Sequence, residues 1–358
     1  MKTSKILNFF SSVLFMALAA ILIAPVIGVG AAPIFGVLGV ASFIPMPSGI
    51  AMMAIQKEIW ITDVVENLYR RNPFMNLAKN ADEYVLMGKV VHIPNAGSQS
   101  NATRNRSSLP ATVQTRTEVD ITFSLDEFTT DPVLVADTEK VELSFDKRRS
   151  VIGNHIDYLA QLVGDWMLYN WAPAATSGGF IKTTSGGTSA AYLADATGVR
   201  KLPTLADFKQ FKKLMDAQNI PANDRYCQLD AYMYDQFTDL LTTTQYTDFS
   251  RYFNAETGVA GKLFGFTFLE PRAVVLRYNV GRTARIAPGA TQNATDQAAG
   301  LFWQKDAVIK AVGETKIFDQ VDNPTYYGDL ISALVRAGGR QNRNDGCGVW
   351  VLAQETYT

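Results

Sequence analysis

The stretch SFDKRRSVIGNHIDYLAQLVGDWMLYNW, Ser144 to Trp171, decides how the rest of this chain is read. Ile152, His155, Ile156, Leu159, Leu162, Val163, Trp166, Met167 and Asn170 recur at three- and four-residue spacing. All but Asn170 carry an apolar or ring side chain, which is the signature of one buried helix face. Ser144 and Asp146 are both candidate N-caps, because a short side-chain oxygen accepts a free N–H of the first turn. Pro173 and the small residues after it stop the helix. At 1.5 Å per residue the segment makes a rod about 42 Å long, beyond the usual globular helix. A rod of that length is expected to serve as a spine on which strands and a second lobe are hung.

N-terminal to the spine, residues 1–52 differ from everything that follows. No charged side chain occurs from Ile6 to Gln56. Lys2 and Lys5 precede the apolar run Val13–Ala24, and Gly30-Ala31-Ala32 follows it. This is the form of a secretory leader, or of a spanning segment if Ile6–Ile27 tolerates Asn8, Ser11 and Ser12. An apolar arm packed within an assembly and an upstream extension outside the working protein are the competing readings. Met52 and Met53 precede a fresh start, AIQKEIW, with ordinary globular composition.

From Met53 to Ala81 the sequence reads as a partly helical arm. Ile59, Val64, Val65 and Leu68 form an amphipathic stripe that ends near Asn72-Pro73. Glu83–Pro94 reads as a strand. NAGSQSNATRNRSSLP, Asn95–Pro110, is polar and carries Arg104 and Arg106 without an acid. Val113–Phe128 then alternates in the strand manner. Strand, polar tip and strand make a long hairpin, which must lean on other structure because isolated hairpins are marginal in water.

C-terminal to the spine, Pro173–Ala191 is rich in Gly, Ser, Thr and Ala and reads as a loop or linker. A second lobe is expected from about Leu202. Thr204 is placed to cap a helix with Leu205, Phe208, Phe211, Leu214 and Met215 on one face. Asp224–Leu229 reads as a short strand and Asp230 as the cap of the next helix. Gly258–Leu269 and Val274–Val280 read as strands, and Arg282–Ala299 as a polar loop. Gln320–Asp329 reads as turns, Leu330–Arg336 and Gly348–Ala353 as strands, and Gly338-Gly339 and Asp345-Gly346 as tight turns. The alternation of helix and strand predicts an α/β lobe within an α+β chain.

The chain has 358 residues, 47 % apolar and 19 % charged, which excludes disorder. Setting aside residues 1–52, it carries 31 basic against 34 acidic side chains. That balance argues against a dedicated nucleic-acid binder, although not against a container for nucleic acid. Cys227 and Cys347 have no Cys or His at metal-ligand spacing. They read as inert thiols, and a bridge needs their Cα atoms within about 7 Å. His92 sits on a strand and His155 on the apolar face of the spine, neither beside a nucleophile. Asp126-Glu127 reads as surface charge. No catalytic, metal or cofactor constellation emerges, so no enzyme, cofactor or small-molecule substrate is expected.

The order of parts resembles the major capsid protein of tailed bacteriophages, the Hong Kong 97-type fold. The resemblance rests on KRRSVIGNHIDYLAQLVGDWMLYNWAP (Lys147–Pro173), which is similar to the spine helix in phages of Bacteroidetes-type hosts. DRYCQLDAYMYDQFTDLL (Asp224–Leu241), GVAGKLFGFTFLEP (Gly258–Pro271), LFWQKDAVIKAVG (Leu301–Gly313) and the segment Tyr326–Leu352 extend it over Met53–Leu352. It implies an N-arm (53–82), an E-loop hairpin (83–128), a P-domain (129–200) with the spine at 144–171, an A-domain (201–300) and closing strands (301–358). It implies a shell protein forming pentamers and hexamers of an icosahedral head. Its partners would be copies of itself, portal, scaffold or decoration proteins, and packaged double-stranded DNA bound without sequence preference. The implied location is the virion, after assembly in the host cytoplasm. Arg104, Arg106, Trp60 and Tyr69 are the expected inter-subunit contacts. An encapsulin-like compartment shell and an exported or membrane-anchored surface protein are the alternatives. An export leader at residues 1–52 would fit only the last.

Overall fold

The computed structural model describes residues 48–86, 89–93, 104–107, 113, 121–136, 147–173, 179–343 and 345–357. The chain divides into two compact units, Met1–Trp60 and Ile61–Thr358. Of the first, only the opening turns of helix α1 (Ser48–Arg71) are described. The leader-like run Val13–Ala24 lies outside the described residues. Among those residues no helix is long and apolar enough to cross a membrane.

The second unit is built on two sheets. One is organised by a long antiparallel hairpin, Val308–Asn323 with Gly328–Gln341, paired from Val308↔Gln341 to Asn323↔Gly328. Its 16-residue arm is about 50 Å long at 3.3 Å per residue. Lys79–Asn80 adds to one side of it, and Asp126–Thr129 and Val133–Ala136 to the other. The turn expected over Gln320–Asp329 is therefore confined to residues 324–327, because cross-strand pairing carries both arms through the polar positions around it.

Helix α2 (Lys147–Trp171) is the spine; the candidate caps Ser144 and Asp146 lie outside the described residues. Ile152, Ile156, Leu159, Val163 and Met167 are buried as expected, and so are Ala160, Leu168 and Trp171. Trp166 is only half-buried. Gly338-Gly339 is not a turn. It lies inside the hairpin strand where α2 crosses it, and a Cβ on Gly339 would stand 2.7 Å from Trp171 Nε1. The glycine is what lets helix and strand approach.

The other sheet has seven strands. Its path is Val259–Leu263, Phe266–Leu269, Arg225–Gln228, Gln297–Gln304, Val349–Ala353 and Ile181–Thr183, with Leu276–Tyr278 also paired to Gln297–Gln304. Every residue of Gln297–Gln304 is buried. Helices α3 (Leu205–Ala217), α4 (Ala231–Asp239) and α5 (Thr243–Ser250) accompany it. Phe208, Phe211, Phe237, Phe249, Phe268 and Phe302 fill one core with them, and Phe211 stacks on Phe302 at 4.2 Å. Thr204 caps α3 through a reciprocal box with Asp207, and Asp230 caps α4 by accepting from the Met233 N–H. Both were legible as caps. The linker expected over Pro173–Ala191 instead supplies two strands, Ile181–Thr183 and Thr188–Ala190. Ile181–Thr183 pairs in parallel with Val351–Ala353, so tertiary pairing overrides a locally flexible composition.

Candidate assembly surfaces

The arm, the spine and the seven-stranded sheet meet at one polar node. Helix α1 ends at Arg71, and the next residue, Asn72, is fully buried. Its Nδ2 donates to the carbonyls of Leu68 (3.1 Å) and of Ala160 on α2 (2.7 Å). Arg272, just beyond strand Phe266–Leu269, donates to Asn72 Oδ1 at 2.8 Å and to Asp165 Oδ1 on α2 at 2.7 Å. The same guanidinium lies 5.4 Å from the Phe74 ring centre. Burial raises the Asp165 pKa, and the Arg272 charge and hydrogen bond oppose that rise. Gly164 leaves the space that Asn72 occupies, since a Cβ there would stand 2.7 Å from Asn72 Cγ.

An aromatic cluster continues the junction. Phe74 meets Trp171 edge-on at 5.7 Å, and Trp171 packs on Trp303 at 5.7 Å. Both indole N–H groups are satisfied: Trp171 donates to Ile309 O (2.9 Å) and Trp303 to Leu77 O (3.1 Å). The free carbonyls at the C-terminus of α2 are satisfied in the same region. Arg285 lies over the Tyr169 ring and donates to the carbonyls of Tyr169 and Ala172. Gln341 donates to Trp171 O and Tyr278 to Pro173 O. A cation at this end also complements the helix dipole. The unit is thereby one interlocked block with extensions.

The first extension is the pair Val90–Ile93 and Ile121–Ser124, in register Val90↔Ser124 to Ile93↔Ile121. Val91, Ile93, Ile121 and Leu125 pack with Ile309 and Ala311 of the long hairpin. The hairpin base therefore leans on other structure, as its marginal stability requires. Of the segment between the strands, only residues 104–107 and 113 are described. Arg104 and Arg106 are exposed there, and Asn105 takes a left-handed φ of 50°. The second extension is the turn of the long hairpin, where Tyr326 and Tyr327 are 55 % and 79 % exposed. Tyr232, Tyr246, Tyr252 and Phe253, on and around α4 and α5, are also exposed.

Trp60 is half-buried. Tyr69 is half-buried too, and within its own subunit it holds the Lys310 ammonium 4.1 Å from its ring centre. Burial and the neighbouring Asp82 carboxylate push its phenol up to about 12. Arg104 and Arg106 belong to the segment between Val90–Ile93 and Ile121–Ser124, and Tyr69 lies against the long hairpin through Lys310. His92 is exposed on its strand and His155 half-buried on α2, where burial lowers its pKa. Cys227 and Cys347 are both free thiols. Asp126 and Glu127 are exposed on a strand, and Glu127 pairs with Arg336 at 3.1 Å. Among the described residues no cluster of His, Cys, Asp or Glu is arranged to hold a metal.

No family model and no curated protein matches the chain. Solved structures do. The head structure of Helicobacter pylori bacteriophage KHP40 matches with a TM-score of 0.53 over 79 % of this chain and 90 % of that one, at 12 % identity. The capsid of Ralstonia phage GP4 matches at 0.52 over 79 % and 88 %, at 14 % identity. The capsid of an empty GTA particle matches at 0.52 over 79 % and 89 %, at 11 % identity. The chain has the phage-capsid fold. At these identities the likeness is one of architecture. The α+β, Hong Kong 97-type reading of the fold class is borne out.

Proposed function

We propose that the chain is the major capsid protein of a tailed phage, a structural subunit that assembles into pentamers and hexamers of an icosahedral head around double-stranded DNA. The observation that carries this reading is the match over 79 % of the chain and 90 % of the KHP40 head structure. On it, residues 53–82 are the N-arm, residues 83–128 the E-loop, and residues 129–200 the P-domain with α2 as its spine. Residues 201–300 are then the A-domain, closed by strands from 301–358. Arg104 and Arg106 at the E-loop tip dock on an acidic surface of a neighbouring subunit, and Trp60 and Tyr69 lie along the arm that reaches a neighbour. A shell protein needs large contact areas and reaching extensions rather than a reactive centre, and the role is non-enzymatic. Portal, scaffold or decoration proteins are the further partners, the virion the final location and the host cytoplasm the place of assembly. The test is electron microscopy of the purified full-length protein across ionic strengths. Closed shells tens of nanometres across are expected; a protein that stays monomeric under every condition refutes the proposal.

A further inference from the structure

Lys209, Lys212 and Lys213 on α3 are all exposed. At spacings of three and four they share one helix face. With Asp216 and Phe264 they line a shallow depression of about 470 Å³. Phe264 lies in the tight turn between strands Val259–Leu263 and Phe266–Leu269, at a left-handed φ of 52°. The Lys209 ammonium lies 5.4 Å from its ring centre. The acids of this helix are engaged elsewhere. Asp216 pairs with Arg225 at 2.7 Å, and Asp207 is buried as the cap partner of Thr204.

Among the described residues the three ammonium groups have no carboxylate partner. Some other exposed cations are paired, Arg71 with Asp157, Lys316 with Glu314 and Arg343 with Asp345, and exposed lysines without an ion pair, such as Lys79 and Lys89, stand singly rather than three to a helix face. Like charges at helical spacing repel one another, and an anion lying across them would relieve that repulsion. A lysine ammonium is a compact point charge that binds phosphate without demanding a fixed geometry. B-DNA presents one charge per about 1.7 Å of axis, dense enough for three ammonium groups on one helix turn to meet phosphates together.

We propose that this face of α3 binds the phosphate backbone of double-stranded DNA, without reading its sequence. The proposal rests on the capsid reading and names the surface on an otherwise slightly acidic body that touches the packaged polymer.

The test is a titration of the full-length protein with a fluorescently labelled 30-base-pair duplex, read by anisotropy at several salt concentrations. Neutralising three phosphates predicts a log–log salt slope of about −2.7, or roughly a 40-fold loss between 50 and 200 mM. The variant Lys209→Gln/Lys212→Gln/Lys213→Gln should keep its circular dichroism and lose at least tenfold in affinity, with a slope near zero. A charge-matched control, Lys79→Gln/Lys89→Gln/Lys316→Gln, should bind as the parent does. Equal losses in the two variants, or none in the first, overturn the proposal. Poly-glutamate binding as tightly as duplex DNA overturns the choice of partner. Shell formation is read in parallel by electron microscopy. Shells whose DNA affinity ignores the α3 lysines refute this site alone, whereas absence of shells from the parent refutes the capsid reading.

Discussion

Replacing Trp171 by Ala removes the side chain on which the arm, the spine and both sheets converge. The indole is fully buried, packs on Phe74 and Trp303, and donates to Ile309 O at 2.9 Å. Truncating a buried Trp to Ala costs about 3–5 kcal/mol through lost transfer energy and the cavity left behind. Leaving the Ile309 carbonyl without its donor adds about 1–3 kcal/mol. The expected loss is about 4–8 kcal/mol, against a total stability of about 5–15 kcal/mol for a folded protein. The variant should therefore sit at the edge of unfolding and accumulate as insoluble subunits. Trp166 is the internal control. It lies on the same helix, half-buried, with its ring against Tyr169 at 5.3 Å, so Trp166→Ala should cost about half as much or less. The assay is urea denaturation of unassembled subunits followed by circular dichroism, with soluble yield as a second readout. Trp171→Phe should recover part of the loss, because it restores one apolar ring while leaving a smaller cavity and omitting the donor. Equal costs for Trp171→Ala and Trp166→Ala would refute the packing argument.

Two glycines should respond with opposite sign. Gly339→Ala places a Cβ 2.7 Å from Trp171 Nε1 and 2.8 Å from Ile309 O and should lose about 1–3 kcal/mol. Gly153→Ala, on α2 with open space around it, should gain about 0.5–1 kcal/mol in the same melts. Asp230 is pushed up to about 6, burial outweighing its hydrogen bonds from Met233 and Tyr192. A raised carboxyl binds its proton more tightly in the folded state. Its contribution is therefore full below about pH 4, the unfolded value, and is lost as pH rises through 6. Asp230→Asn keeps a capping oxygen, and the parent-minus-variant stability difference should fall on the order of 3 kcal/mol between pH 4 and pH 7; a flat difference contradicts the buried-carboxyl argument. Arg104→Ala/Arg106→Ala should leave the denaturation midpoint unchanged and raise the protein concentration needed for shells in light scattering; a lowered midpoint with unaltered assembly contradicts the docking role.

What the sequence disclosed was what short-range physics controls. Thr204 and Asp230 announced their caps because an oxygen before an apolar-periodic run can do little else. The spine announced its existence and one stripe of its buried face. It hid Ala160, Leu168 and Trp171, because α2 is covered on more than one side, by the strand at Gly339 and by the arm at Asn72 and Phe74. One period describes one stripe and cannot report a second cover. Gly338-Gly339 was visible as glycine, but whether a glycine turns a chain or admits a crossing helix depends on a partner more than 160 positions away. Ile181–Thr183 became a strand for the same reason, its partner being Val351–Ala353. The node of Asn72, Asp165 and Arg272 joins three distant segments, and no local spacing marks it. Among the candidate contacts, Arg104 and Arg106 were legible as an acid-free basic pair in a polar tip. The exposure of Tyr326 and Tyr327 depends on how far the paired arms carry their turn, which local turn chemistry does not encode.

The central claim is that this chain is a shell subunit, and direct imaging tests it. Full-length protein, purified and shifted from high to low ionic strength, should yield closed icosahedral particles tens of nanometres across by electron cryomicroscopy, with α2 resolved as a continuous rod in each subunit. A homogeneous monomer or small closed oligomer under all conditions, with the fold intact by circular dichroism, would contradict it.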